Sequence, residues 1–400
     1  MNICVYWEQA SWGGVDSYLR TLLYHWPNQN HEILVLSNKG NKGLERIQKD
    51  LESIPNVRIK KISIWSQAQF LENFDSPGFV IRLFAYALFP FFLLQNFFSI
   101  LFTLPKQTDV LISQNGAYPG GWSCLVVFLV AKMKRIKMKA LVIHHSSTAR
   151  RIGWYMLEYL LDRMVVAFAD KIITVSKASL DSFTHFRKIK LKNRQGNLVY
   201  NGVEIPSTND VKNIFQVEDV KLKIGLVGRC EKRKGHFDIL EALILMEPSY
   251  RAKLQILFIG HYDVEFKEQV QKFCDKHRIT NSVTLYGYSS HTSHEIVDNL
   301  DLLCCLTQDY EGFGLTVIEA MAAGTPVLTT DVGALKEFVQ NGKNCIVIPP
   351  NSPAEISDKL KDFIDQRQKW DALLLNAKTT ANVFSAENMA NNYYKLLTGN

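Results

Sequence analysis

Residues 309–330 read DYEGFGLTVIEAMAAGTPVLTT, an order of residue types that spells a loop carrying an acid, a Gly-aromatic-Gly turn, a short helix and a buried strand. Just upstream, DLLCCL (301–306) is another short apolar run, so strand, helix and strand follow one another across this stretch. Strands that alternate with helices belong to a parallel sheet with crossover connections.

The same alternation continues outward. LKIGLVG (222–228), LQILFIG (254–260), VTLYG (283–287) and NCIVIP (344–349) complete one series of six strands. An earlier series comprises NICVYW (2–7), HEILVLS (31–37), VRIKKISI (57–64), DVLIS (109–113), KALVIH (139–144) and KIITVS (171–176). Between them NLVYNGVEIP (197–206) gives way to the polar stretch STNDVKNIFQVEDVK (207–221), which sets the linker around residue 206. The expected architecture is α/β, with two Rossmann-like doubly wound domains facing each other across a cleft: residues 1–205, residues 206–380, and a C-terminal helix in 381–400 packing back on the first domain. Ligands of such sheets bind beyond the carboxyl ends of the strands, so functional residues are sought there.

The 400 residues, 47% hydrophobic and 21% charged, exclude a disordered chain and suffice for two cores. The net charge of +7 is uneven: residues 1–200 carry 25 Lys+Arg against 13 Asp+Glu, and residues 201–400 carry 21 against 26. Residues 79–104, FVIRLFAYALFPFFLLQNFFSILFTL, form an apolar segment whose uninterrupted run, 83–94, suits a buried or interfacial helix, and Pro90 argues against one straight span. Two readings stand: a helix buried against the first sheet, or one dipping into a bilayer. KMKRIKMK (132–139) reads by itself as a solvated helix end, and together with the apolar segment it favours an anionic membrane surface over nucleic acid as partner of the basic half. The seven cysteines are odd in number and scattered, as expected of reduced core residues, and the N-terminus enters a strand with no secretory pattern, so a cytoplasmic location is expected.

Glycines ahead of a helix let a backbone approach an anion, so Gly312, Phe313, Gly314, Leu315 and Thr316 are candidates for cradling a diphosphate, with the amides of Leu315, Thr316 and Val317 aimed at it. Thr316 and Glu319 have the spacing of a capping box, whereas Glu311 stands off the helix where no cap requires it. GRCEKRKGHFDILEAL (228–243) puts Arg229 and Lys234 beyond a strand end, a fork and a point charge suited to phosphate. A solvated basic turn explains Lys232 and Arg233 equally well. Gly13 and Gly14 occupy the first strand–helix turn without the dinucleotide fingerprint. His144 and His145 end the strand KALVI, and either suits a role in the cleft. His291 and His294 have no third ligand nearby in sequence, and no metal site is assigned.

EGFGLTVIEAMAAGTPV resembles the signature of family 4 retaining glycosyltransferases of the GT-B fold (glycosyl transferases group 1), whose paired glutamates are separated by seven residues, here Glu311 and Glu319. GGVDSYLRTLL, VIHHSS, ADKIITVSKAS, LVYNGVEIP, LVGRCEKRKG, VTLYGY and DVGALKEFVQNG extend the resemblance, in the family's order, over nearly the whole chain. The resemblance implies a nucleoside-diphosphate sugar, UDP- or GDP-linked, as co-substrate, with no metal or other cofactor required. It implies that Arg229 and Lys234 bind the diphosphate, Glu311 the transferred sugar and Glu319 the ribose. Tyr288, in YGY, falls where the base would lie, and Gly13 and Gly14 would close over the diphosphate. Transfer with retention to a lipid-linked or cell-envelope glycan at the inner face of a membrane is the leading expectation. A small-molecule acceptor and an inactive membrane scaffold are the alternatives.

Overall fold

The computed structural model describes all residues except 10–12, 42, 72–73, 75–77, 207–213, 216–220, 290 and 400, and does not describe the side chains of 46 and 68. Most of the polar stretch 207–221, which follows the linker expected around residue 206, therefore lies outside the described residues. The chain divides into two units, one formed by Met1–Asn201 with Glu387–Asn400 and the other by Gly202–Ala386.

The first unit holds a seven-stranded sheet of β1 (Asn2–Trp7), β2 (Glu32–Asn38), β3 (Val57–Ile62), β4 (Val110–Asn115), β5 (Met138–Ile143), β6 (Lys171–Thr174) and β7 (Gly196–Leu198). Their order is β3-β2-β1-β4-β5-β6-β7, and every pairing is parallel. The second unit holds β8 (Leu222–Val227), β9 (Leu254–Ile259), β10 (Val283–Gly287), β11 (Leu302–Cys305), β12 (Val327–Thr329) and β13 (Ile346–Val347), ordered β10-β9-β8-β11-β12-β13 and again parallel. β4 and β9 are buried along their whole length, because helices cover both faces and leave no side for polar alternation. In each unit the strand order reverses once, between β1 and β4 and between β8 and β11, and those two switch points are where such sheets bind ligands.

The apolar segment is two helices, Phe79–Ala87 and Phe89–Thr103, bent by 46° at Leu88. Pro90 sits in the first turn of the second, where its missing N–H has no intrahelical partner to lose. A stripe of Ala85, Phe89, Phe92, Asn96 and Ile100 is buried, whereas Phe79, Val80, Leu83, Phe91, Phe98 and Phe102 are exposed. The buried stripe is the face packed within the first unit, as the first reading expects, and the opposite face is apolar and exposed. Among the described residues no single helix is long and apolar enough to cross a membrane, although the bent pair together passes that test of length and composition.

The basic run 132–139 is largely spoken for. Lys134 donates to the Leu104 carbonyl (2.7 Å), Lys137 lies 3.7 Å from Asp109, and the buried Lys139 is 2.7 Å from Asp170. These contacts tie the Ser123–Met133 helix and β5 to their neighbours, while Lys132 and Arg135 are exposed and make no such tie among the described residues.

A charged cluster inside the first unit pins the Tyr155–Phe168 helix to the Lys177–Arg187 helix. Arg187 pairs with Glu158 (2.7 Å) and Asp162 (2.8 Å), all three essentially without solvent exposure. Arg150 and the Tyr118 hydroxyl supply further donors to Asp162, at 2.8 and 2.9 Å. A buried cluster of this kind is tolerable only because each carboxylate has several donors. The Ala386–Thr398 helix belongs with this unit because Tyr393 packs edge-on to Tyr18, and Tyr394 to Trp26.

All seven cysteines are free; six are buried and Cys305 is half-buried. Burial raises the thiol pKa of each one, which keeps them inert.

Candidate functional site

At the switch point of the second sheet, the chain leaving β8 and the chain leaving β11 are stitched together. The Gln308 amide donates to the Arg233 carbonyl (2.8 Å), and Arg233 Nη1 donates to the Tyr310 carbonyl (3.2 Å). This seam brings Lys234 Nζ within 2.5 Å of Glu311 Oε2, which also accepts from Thr307 Oγ1 at 3.1 Å. Both charged side chains are mostly shielded from water, with 23% and 15% of their surfaces exposed. Residues 77 apart in sequence thus form one charge pair at the mouth of the sheet.

The basic turn separates into distinct roles. Arg233 is folded back on Glu231 (2.8 Å) and on the Tyr310 carbonyl, a fastening within the protein. Lys232 is exposed. Arg229 lies at the surface, 3.1 Å from Glu231, with its guanidinium largely in solvent.

The Gly-Phe-Gly turn opens the Leu315–Ala323 helix through Gly314 in the left-handed region (φ 92°), where a Cβ would lie 2.5 Å from Leu335 Cδ2. Gly314 is the N-cap, so Thr316 already lies inside the helix and makes no side-chain cap. The capping-box reading of Thr316 and Glu319 is therefore wrong, since the box needs the hydroxyl at the cap itself. One expected donor is also lost: the Val317 amide bonds to the Gly314 carbonyl (3.0 Å), leaving Leu315 and Thr316 as the first-turn amides without an intrahelical acceptor. The Phe313 ring is buried against Phe338 and Phe384, at 5.8 and 5.7 Å, so its backbone is the part presented to a ligand.

Glu319 is half-buried, with its carboxylate oxygen Oε2 enclosed. Burial lifts its carboxyl pKa to about 7 despite a hydrogen bond with Ser293, and its Oε2 is a buried acceptor with no hydrogen-bond partner among the described residues. A ligand hydroxyl arriving there would satisfy it.

Sequence reasoning missed Gly333, which has φ 59° and backs directly onto Glu311. A Cβ there would stand 2.4 Å from the Glu311 carbonyl oxygen, and the adjoining Ala334 amide donates to that oxygen at 2.9 Å. The lone glycine of GALKE was the available signal. Thr307 was missed as well, and its place four residues before Glu311 carried no motif. Tyr288, just beyond β10, is exposed.

The candidates in the first unit sit at its own strand ends. His144 is buried, donates from Nε2 to Gln114 Oε1 (2.7 Å) and packs edge-on to Tyr18; burial lowers its pKa to about 3, so it stays neutral. His145 is half-buried, with Nδ1 3.0 Å from Ser146 Oγ. The Gly13 amide is taken by the Asp16 carboxylate (2.5 Å), and Gly14 begins the Gly14–Tyr24 helix. Among the described residues no three His, Cys, Asp or Glu side chains are grouped to hold a metal ion.

Residues 208–380 match the family model described as Glycosyl transferases group 1. The lipopolysaccharide core biosynthesis mannosyltransferase LpsB of Rhizobium meliloti is 27% identical over 266 residues, covering 64% of this chain and 72% of that protein. The capsular polysaccharide biosynthesis glycosyltransferase CapM of Staphylococcus aureus is 26% identical over 248 residues, covering 58% and 62%. Among solved structures, Anabaena HepE in complex with UDP matches over 100% of both chains with a TM-score of 0.77 at 17% identity. That likeness identifies the fold as GT-B.

Proposed function

We propose, from the premise that the second unit is a glycosyl transferases group 1 domain and the chain a glycosyltransferase, that this protein transfers a sugar from a UDP- or GDP-linked donor, with retention, to a lipid-linked or cell-envelope glycan. The observation that carries the reading is the Lys234–Glu311 pair at the β8/β11 switch point, beside the two first-turn amides of Leu315 and Thr316. A diphosphate set against those amides meets the positive end of the helix and the Lys234 ammonium, and Arg229 reaches it from solvent. Glu311 accepts hydroxyls of the transferred sugar and Glu319 those of the ribose, which supplies the partner its Oε2 lacks among the described residues.

In the reaction the bond between the anomeric carbon and the leaving phosphate oxygen breaks, and the acceptor oxygen bonds to that carbon on the same face. The acceptor's proton passes to the departing phosphate, so positive charge around that phosphate is the main source of rate. His145, half-buried at the end of β5, is assigned to acceptor positioning; His144, locked neutral on Gln114, orients the strand end. HepE was crystallised with UDP and with UDP-glucose, which supports a nucleotide-sugar donor, and the names of LpsB and CapM support a cell-envelope product. The exposed side of the 79–103 elbow, flanked by the basic half of the chain, supports peripheral contact with an anionic membrane from its cytoplasmic side.

The test is donor turnover with a panel of UDP- and GDP-sugars, with the anomeric configuration of the product read by NMR. Glu311→Ala is expected to abolish transfer in a folded protein. Wild-type turnover in that variant, or an inverted product, would remove the assignment.

A further inference from the structure

The turn that leaves β8 and the loop that leaves β11 are locked together by more than the Lys234–Glu311 pair. Gly235, the cap of the His236–Leu245 helix at φ 77°, lies so close to the other loop that a Cβ would stand 2.4 Å from the Leu306 carbonyl oxygen. Further along, the Gln308 backbone amide donates to the Arg233 carbonyl at 2.8 Å. The Gln308 side chain reaches Asp238, where its one NH2 group donates to both carboxylate oxygens, at 2.9 and 3.0 Å. Arg233 and Asp238 stand on either side of Lys234 in the chain, and Gln308 comes just before Glu311. One residue thus grips the turn on both sides of the lysine.

Asp238 is 8% exposed. An acid in the first turn of a helix is favoured by the helix dipole whether its carboxylate faces inward or outward, so the dipole does not account for the burial. Stability does not account for it either. A buried carboxylate that accepts from one neutral amide among the described residues regains only part of its lost hydration, and a well-packed apolar pair would fill the same space at least as stably. What the polar pair adds is register. An amide that must meet two oxygens fixes where the loop sits on the turn, and a lysine–carboxylate contact of 2.5 Å tolerates little slippage.

We infer that Asp238 and Gln308 are positioning residues of the donor site: their clasp sets the β11 loop on the β8 turn so that Lys234 and Glu311 are presented together to a nucleoside-diphosphate sugar. The inference rests on the donor reading of that pair and adds two residues that act through it.

The experiment compares wild type, Gln308→Met, Asp238→Asn and the apolar pair Asp238→Leu with Gln308→Met. Turnover of the UDP- and GDP-sugar panel, calorimetric affinity for UDP and GDP, and thermal midpoints are recorded for each. Gln308→Met leaves a buried carboxylate without its donor, so both midpoint and turnover should fall. The apolar pair should recover the midpoint while kcat stays about tenfold or more below wild type, the loss expected when reacting groups are slightly misplaced. Asp238→Asn keeps an oxygen for the Gln308 amide and should stay close to wild type in turnover. Wild-type kcat in the folded apolar pair, or a loss in folded Asp238→Asn equal to that in Gln308→Met, overturns the inference and leaves the donor reading standing. Should the apolar pair not fold, the comparison of Asp238→Asn with Gln308→Met decides. Absence of both nucleotide binding and turnover in wild type overturns the donor reading itself, and the inference with it.

Discussion

Glu311 and Lys234 leave different strands, β11 and β8, and meet at 2.5 Å over the point where the strand order reverses. The pair depends on a tight backbone behind it, because the Glu311 carbonyl lies against the α-carbon of Gly333.

Gly333→Ala should therefore displace Glu311. The added methyl would start 2.4 Å from a backbone oxygen that cannot swing away. We expect donor turnover to fall by more than about tenfold, equivalent to ~1.4 kcal/mol of barrier. Gly342→Ala is the control: its φ is also positive, at 69°, but a methyl there meets nothing within 4 Å, so it should cost only about 1 kcal/mol of stability and no turnover. Equal effects of the two changes in an activity and melting series would dissociate Gly333 from the site.

Glu319 gives the protein a pH-dependent stability with an unusual sign. Its carboxyl pKa is raised from 4.5 to about 7, so the folded state holds more protons than the unfolded one between those values. Stability from this group is full below the unfolded value and declines as pH rises toward 7, staying low above it. Glu319→Gln should raise the thermal midpoint relative to wild type at pH 8, by the equivalent of roughly 1–3 kcal/mol, and the gain should vanish near pH 4. Melting curves of both proteins across that range decide it; a gain that grows toward acid would contradict the enclosed carboxylate oxygen.

Arg187→Met should be severe for a different reason. It strips Glu158 and Asp162 of a counter-charge in a place water does not reach. A loss of about 3–5 kcal/mol is expected in chemical denaturation. A loss below about 1 kcal/mol would mean that Arg150, Arg151 and Tyr118 suffice for the two carboxylates.

Phe98→Glu with Phe102→Glu changes only exposed positions of the elbow. Co-sedimentation with vesicles containing phosphatidylglycerol should drop several-fold while the thermal midpoint holds, as expected when apolar area and attraction to anionic lipid act together. Unchanged sedimentation would place membrane contact elsewhere.

The sheets were legible in the sequence because strands covered on both faces become uninterrupted apolar runs, as in ILFI before Gly260 or VLIS before Gln114. β7 was not, since three residues, GNL, carry no pattern. The Glu311–Glu319 motif was legible as a loop acid and a helix acid. What misled was Thr316: the hydroxyl had the spacing of a cap, but Gly314 in a left-handed conformation ends the turn two residues earlier. The elbow defeated a binary pattern because both of its faces are apolar, so periodicity could not say which is buried. The Arg187 cluster escaped notice because its acids, on the Tyr155–Phe168 helix, read as an ordinary polar face.

The central claim is a nucleoside-diphosphate site centred on the Lys234–Glu311 pair. It is tested most directly by calorimetric titration of UDP, GDP and ADP into wild type and Lys234→Ala. The account expects one of the first two to bind wild type selectively and to bind the variant on the order of tenfold or more weakly, the loss of one charge-assisted contact to phosphate. Equal affinity in the folded variant, or no nucleoside diphosphate bound by wild type, would contradict it.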